Sequence, residues 1–329
     1  MVTKSGDVRR GRGVRGGPLV VLAFGCLAVW LAAQGAGRKA GPAEEQDAGP
    51  GWPRTVEVEP GQRVRVERRP ERVLAYSVGA AEILLSLVDA SRIVGVHALC
   101  LEPRYSNVSA RLLGGAVAVV SSTESMLLQK PDLLVTAGYT RPEVLAQVER
   151  LSGTAVVVLR QYDRLADLRA SMGALGLLVG EEARAAELVR EFDDRLARAA
   201  ALGREGAMGG GGRPRVLSLF AGEFIAGSGT LFDDVLGHIG AVNVAGAQGV
   251  RGHGQLSAEQ WAVWGVDVVV IPAGERRLLE DRLAVRRSAG HADPRVVEVD
   301  SGLLLAVSQY TAVFAERLAE QLYAVEAGG

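Results

Sequence analysis

Cysteine is nearly absent: Cys26 and Cys100 are the only two in 329 residues, so disulfides do not hold the fold and stability must come from a buried core. Histidine is scarce as well. His97, His238, His253 and His291 show no close-set ligand spacing, and His238 falls in a predicted helix, which argues against a bare zinc or manganese site. An excess of one charge is also missing, with 37 basic against 38 acidic residues and a net charge of -1. That balance lacks the basic footprint of a nucleic-acid binder and excludes the class. There is no nucleophile elbow, no complete phosphate loop and no His/Asp/Ser constellation at a recognisable spacing, so a doubly wound enzyme stands only as a rival reading. "GSGTLF", from Gly227, lacks the third glycine and the acidic partner of a dinucleotide fingerprint.

What the chain does have is a globular balance, 48% hydrophobic and 23% charged, over a length that suits two ordinary domains. Its start differs from the rest. Arg9, Arg10, Arg12 and Arg15 precede an apolar run from Leu19 to Ala33, and small and polar residues continue to Pro50. That order is the build of an export signal, assigned to 1–37, with a flexible linker over 38–54. No charge occurs between Arg15 and Arg38, and about 20 apolar residues span a bilayer, so an uncleaved membrane anchor is the alternative. Lipidation at Cys26, in "AFGC", is a third outcome. Each places the rest of the chain in the periplasm or cell envelope, with membrane association through the N-terminus left open.

One pattern occurs twice. "SSTESMLLQKPDLLVTAGY" starts at Ser121 and "LSAEQWAVWGVDVVVIPAG" at Leu256. In both, Ser-x-Glu precedes an aspartate and an apolar strand at the same interval. Ser122 and Ser257 suit a helix N-cap, and Glu124 and Glu259 suit the positive end of a helix dipole, so each copy predicts a short helix feeding a buried strand.

Alternating charges around Pro60-Gly61 predict a hairpin. Short apolar runs then alternate with helical segments, which predicts a mostly parallel sheet covered on both faces. This N-terminal α/β lobe is assigned to 55–162. Apolar residues at three- and four-residue spacing predict a helical connector over 163–202, interrupted near Gly180. A Gly-rich loop follows over 203–212, and a second α/β lobe over 213–329. The fold class is therefore α/β, two lobes, each a mostly parallel sheet flanked by helices, joined by a long helical connector with the ligand cleft between them.

From about Thr55 to Tyr323 the chain resembles the helical-backbone substrate-binding proteins of the ABC importers for iron-siderophores, haem and cobalamin. The resemblance rests on "RRPERVLAYSVGAAEILLSL" followed by "RIVGV", on "KPDLLV", "LGLLVGEEARAAELVREFDDRL", "GTLFDDVLGHIGAVNVAG" and "LSAEQWAVWGVDVVVI" in this order. It implies an exported binding protein, not an enzyme, with no intrinsic cofactor, whose partners are a small-molecule metal chelate and an ABC permease dimer with its ATPase. It also implies a role for the repeat: Glu124 and Glu259 are expected to pair with arginines of the two permease subunits, where bidentate carboxylate contacts give register as well as attraction.

Strand ends facing the cleft supply the candidate ligand-binding residues: His97, Tyr139, Arg141, Arg160, Tyr162, Glu223, Phe224 and Arg276, with Arg251 and His253 from the loop ahead of the second repeat. A ferric siderophore would use Arg141, Arg160 and Arg251, and haem would need an axial ligand such as Tyr139 or His253. Cobalamin-binding relatives line the cleft with bulky aromatics, whereas His253 and Ala118 stand at the matching positions here. A membrane-tethered sensor is a further alternative. The helical connector predicts a small opening and closing motion.

Overall fold

The computed structural model describes residues 51–114, 117–208 and 212–323. The expected signal or anchor at 1–37 and the linker up to residue 50 lie outside the described residues. The chain enters through a hairpin, β1 (Arg54–Glu59) and β2 (Gln62–Val66), paired antiparallel. Gly61 turns it at φ +80, a left-handed angle that favours glycine. The Glu59 carboxylate accepts the backbone N–H groups of Arg160 and Gln161 at 2.6 and 2.8 Å, so the hairpin is tied to the lobe it precedes.

The first lobe holds β3 (Val73–Ala75), α1 (Val78–Leu87), β4 (Ile93–His97), α2 (Ser109–Leu113), β5 (Ala118–Val120), α3 (Thr123–Leu128), β6 (Leu133–Ala137), α4 (Pro142–Ser152) and β7 (Ala155–Leu159). Its five strands form a parallel sheet in the order β5-β4-β3-β6-β7. Runs such as "AVVVL" in β7 are β-branched and apolar on both sides, as strands covered on two faces require.

Two helices join the lobes. α5 (Leu165–Val179) stops at Gly180, whose φ of +72 ends the helix in a left-handed turn. α6 (Glu182–Met208) runs for 27 residues, through Gly203 and Gly206, where a loop was expected from 203 onward. Tertiary packing overrides the low helix propensity of glycine. A side chain at Gly203 would meet the Ile239 backbone, and one at Gly206 the Tyr323 ring.

The second lobe contains β8 (Arg215–Ser218), β9 (Phe224–Ala226), α7 (Leu231–His238), β10 (Val242–Asn243), α8 (Val244–Ala247), β11 (His253–Gln255), α9 (Ala258–Val263), β12 (Val268–Pro272), α10 (Arg276–Ser288), β13 (Arg295–Val299), α11 (Ser301–Leu304) and α12 (Tyr310–Tyr323). Four of its strands form a parallel sheet, β10-β8-β12-β13, while β9 and β11 pair separately as an antiparallel ribbon. α12 packs along α6, with Arg195 and Arg198 both paired to Glu316.

One core runs through both lobes, from Val73, Val135 and Val157 in the first sheet, through Leu188 and Phe192 of α6, to Val216 and Val270 in the second sheet and Phe314 of α12. The opposite face of each sheet has a core of its own. Leu74, Val120, Leu134 and Val148 surround Met126 of α3; Leu217, Val244, Val269 and Leu279 surround Trp261 of α9. Alternate residues of one strand, such as Leu74 between Val73 and Ala75, serve the two cores in turn.

Polar links also cross between the lobes. Buried Glu82 of α1 accepts from the Asn107 backbone N–H and Nδ2, each at 2.8 Å, and from the Ser308 hydroxyl at 2.5 Å. Its carboxyl is raised above the usual range by burial, against the opposing hydrogen bonds from Ser308 and Asn107. Arg104 pairs with Glu275, whose second oxygen accepts the Ala221 N–H at 2.7 Å.

Candidate ligand cleft and the paired helices

Three cavities lie at the strand ends, two lined by residues of both lobes and one by the first lobe alone. The first, about 230 Å³, is walled by Phe220, Phe224, Ile225, Leu231, Phe232, Leu305, Val307 and Phe314, with Tyr162 and His253 also on its lining. The second, also about 230 Å³, shares Tyr162, Leu305 and Val307 with the first and reaches Tyr139. The third, about 430 Å³, is bordered by Tyr139 again, by Tyr76, His97 and Arg141, and by Ser122 and Glu124 of the first repeat. The first two share three residues and the third meets the second at Tyr139 alone; together they outline a candidate groove, apolar at the second lobe and polar at the first.

Local structure explains these positions. His97 ends β4, and its Nδ1 accepts the Leu99 N–H at 3.2 Å, capping the turn that follows. That bond assigns the ring proton to Nε2, so the imidazole presents a donor to the cavity. Burial lowers its pKa. Tyr76 stands edge-on to it, with ring centroids 5.0 Å apart. Tyr139 follows β6 and is 66% exposed, its ring open to the cavity edge. Phe224 and His253 lie at opposite ends of the β9–β11 register, in which His253 pairs with Ala226 and Gln255 with Phe224.

Six of the ten residues expected in the cleft thus border the groove: His97, Tyr139, Arg141, Tyr162, Phe224 and His253. The other four border none of its three cavities. Arg160 donates to Gln62 Oε1 at 3.1 Å, toward the entry hairpin, because the hairpin lies against the end of β7. Arg276 begins α10 and pairs with Glu298 at 3.6 Å. Glu223 and Arg251 are exposed in the turns that bound the ribbon. Sequence reasoning missed the floor, Leu304–Val307, which joins α11 to α12. Its signal was the apolar run "GLLLAVS" where no strand was needed. Gly79 meets this floor so closely that a side chain there would strike Val307.

The repeat folds as one device built twice. Ser122 accepts the Ser125 N–H and Ser257 the Gln260 N–H, both at 3.2 Å, each within a capping box. Glu124 and Glu259 lie in the first turns, their carboxyls held below the usual range by their own backbone N–H and by the capping serine. Beyond each helix, Asp132 N–H donates to Arg72 O and Asp267 N–H to Arg215 O, both at 2.9 Å. The guanidinium of Arg72 returns to the Gln129 and Lys130 carbonyls, and that of Arg215 to Gly265. The two copies differ in that Glu124 borders a cavity while Glu259 borders none of the three.

A two-lobed α/β frame with strand ends turned toward a cleft is an arrangement that can hold a ligand. The periplasmic binding protein family model matches residues 73–286, and the chain belongs to that family. Comparison with curated proteins gives no match. Among solved structures, the periplasmic haem-binding protein RhuT from Roseiflexus sp. RS-1, in apo form, is 21% identical, with a TM-score of 0.64 over 77% of this chain and 98% of that one. A periplasmic haem-binding protein from Pseudomonas aeruginosa is 24% identical, with a TM-score of 0.65 over 78% and 93%. The periplasmic haem-binding protein BhuT, in complex with two haems, is 23% identical, with a TM-score of 0.63 over 77% and 98%. At these identities the likeness is one of fold. Among the described residues, no helix is long and apolar enough to cross a membrane, and no group of three or more His, Cys, Asp or Glu gathers to hold a metal ion.

Proposed function

We propose that the protein is the extracytoplasmic solute-binding component of an ABC importer, and that it captures an iron chelate of the haem class between lobes at 55–162 and 213–329. The aromatic and aliphatic wall made by Phe220, Phe224, Phe232, Leu305 and Phe314 carries this reading, because it suits a flat apolar ring system better than a charged chelate. A ferric siderophore would call on several arginines, and of Arg141, Arg160 and Arg251 only Arg141 borders the groove. Each smaller cavity falls below the roughly 300 Å³ of ordinary ligand sites, so a ligand of this size spans adjoining ones. Tyr139 and His253 are the axial candidates; His97 would first have to give up its bond from Leu99. The fold shared with haem-binding proteins supports the same choice.

Titrating the chain in parallel with haemin, ferric catecholate and carboxylate siderophores and cobalamin, with fluorescence quenching and the Soret band as readouts, tests it. Saturable one-to-one binding of haemin, with a Soret band changed by Tyr139→Phe or His253→Ala, is expected. Tight binding of a siderophore or cobalamin without haemin overturns the haem assignment.

Delivery is read from the repeat. Two exposed carboxylates in matching positions fit a partner that presents two matching cations, as a permease dimer with its ATPase does. Charge reversal at Glu259 is expected to abolish uptake while leaving haemin affinity intact; uptake that persists removes this role.

A further inference from the structure

The residues that follow each glutamate repeat one another in environment as well as in position. Glu124 and Glu259 are exposed, Met126 and Trp261 are buried, and Leu128 and Val263 emerge into solvent again. Leu128 is 77% exposed and Val263 69%. Residues four apart lie on one helical face, so each short helix offers solvent a carboxylate and, one turn on, a bare aliphatic side chain. A lone exposed leucine or valine needs no explanation. The same exposure at the same step from a glutamate in both lobes does, since neither core uses it: Met126 and Trp261 already anchor the helices. The arginine and aspartate clasp fixes both helices from behind in the same way.

We propose that Leu128 and Val263 are the apolar half of a two-part contact on each lobe, whose occupant is a two-fold symmetric membrane-protein dimer offering a cation beside an apolar recess in each subunit. This rests on the permease-docking reading of Glu124 and Glu259. The arrangement is charge-complementary to such a partner, and the aliphatic groups supply the desolvated centre that ion pairs alone do not. A bilayer surface is the poorer occupant, because carboxylates held ionised are repelled by anionic headgroups.

The test uses the full-length chain and an ABC permease–ATPase complex of the haem-importing class from the same cell, reconstituted in nanodiscs, with empty nanodiscs in parallel. Docking affinity and haemin affinity are measured for the native chain, for Leu128→Ser with Val263→Ser, and for Glu124→Ala with Glu259→Ala. The serine variant is expected to dock at least about tenfold more weakly, with haemin affinity unchanged and no binding to empty nanodiscs. If the alanine variant loses docking and the serine variant keeps it, this inference fails while the glutamate reading stands. If both variants dock normally, both fail. Native binding to empty nanodiscs that the serine variant loses makes the occupant a lipid surface and overturns the proposal.

Discussion

In the first lobe Asp132 accepts two backbone N–H groups, from Glu71 and Arg72, whereas Asp267 in the second accepts one, from Arg215. Five residues past the N-cap Ser77 the first lobe buries Glu82; five past the N-cap Thr230 the second buries Val235. The first sheet adds β5 at its edge, while the second inserts the β9–β11 ribbon, which brings Phe224 and His253 to the groove. The lobes therefore agree in the outward helices and in the outline of the clasp behind them, differ by one hydrogen bond within that clasp, and diverge most where they line the cleft or meet each other. Symmetry is kept on the outer surface and given up where one unsymmetrical solute has to be held.

The largest way to break this comparison is at the unmatched buried charge. Glu82→Ala leaves the Asn107 and Ser308 donors without an acceptor and is expected to cost about 3 kcal/mol of stability by denaturant unfolding; a loss below about 1 kcal/mol removes its role as an inter-lobe link. The same carboxyl has a folded pKa above its ordinary 4.5. Its stabilising contribution is full below the unfolded value and is lost as pH rises through the folded one. Glu82→Gln is expected to flatten that decline, seen as a melting temperature less dependent on pH above 4.5.

A smaller contrast lies within the clasp. Asp132→Ala forfeits two backbone hydrogen bonds and Asp267→Ala one, so the first is expected to cost about 1 kcal/mol more; equal losses in chemical unfolding erase the asymmetry. The least effect is assigned to Arg104→Ala. Arg104 is half exposed, and loss of its pair with Glu275 is expected to cost under about 1 kcal/mol. Faster amide exchange near Ala221, with the clasps unaffected, is the measurement that reports it.

Much of this frame was legible because periodicity and capping act locally. The serine caps, the buried strands after Asp132 and Asp267, and the break at Gly180 each follow from a few adjacent residues. The continuation of α6 past Gly203 was hidden because its cause, the backbone at Ile239 and the ring of Tyr323, lies far along the chain. The cleft was half legible for the same reason. His97 and Tyr139 end strands and so had to face it, but only the hairpin's position against β7 draws Arg160 away to Gln62. The apolar run "GLLLAVS" marks Leu305 and Val307 for burial, but only their contact with the distant Gly79 segment makes them a floor.

α6 has one more consequence. At about 1.5 Å per residue its 27 residues make a rod of about 40 Å. The first lobe grips its start through Arg54 on Glu182 and Arg69 and Arg92 on Glu181, and the second lobe grips its end at Gly203 and Gly206. The rod is thus a lever with one lobe at each end. Tilting it by about 1° displaces its tip by about 0.7 Å, the scale on which a close contact is made or lost. A rigid tilt of this rod would carry a displacement at one lobe to the other without any bend in the helix.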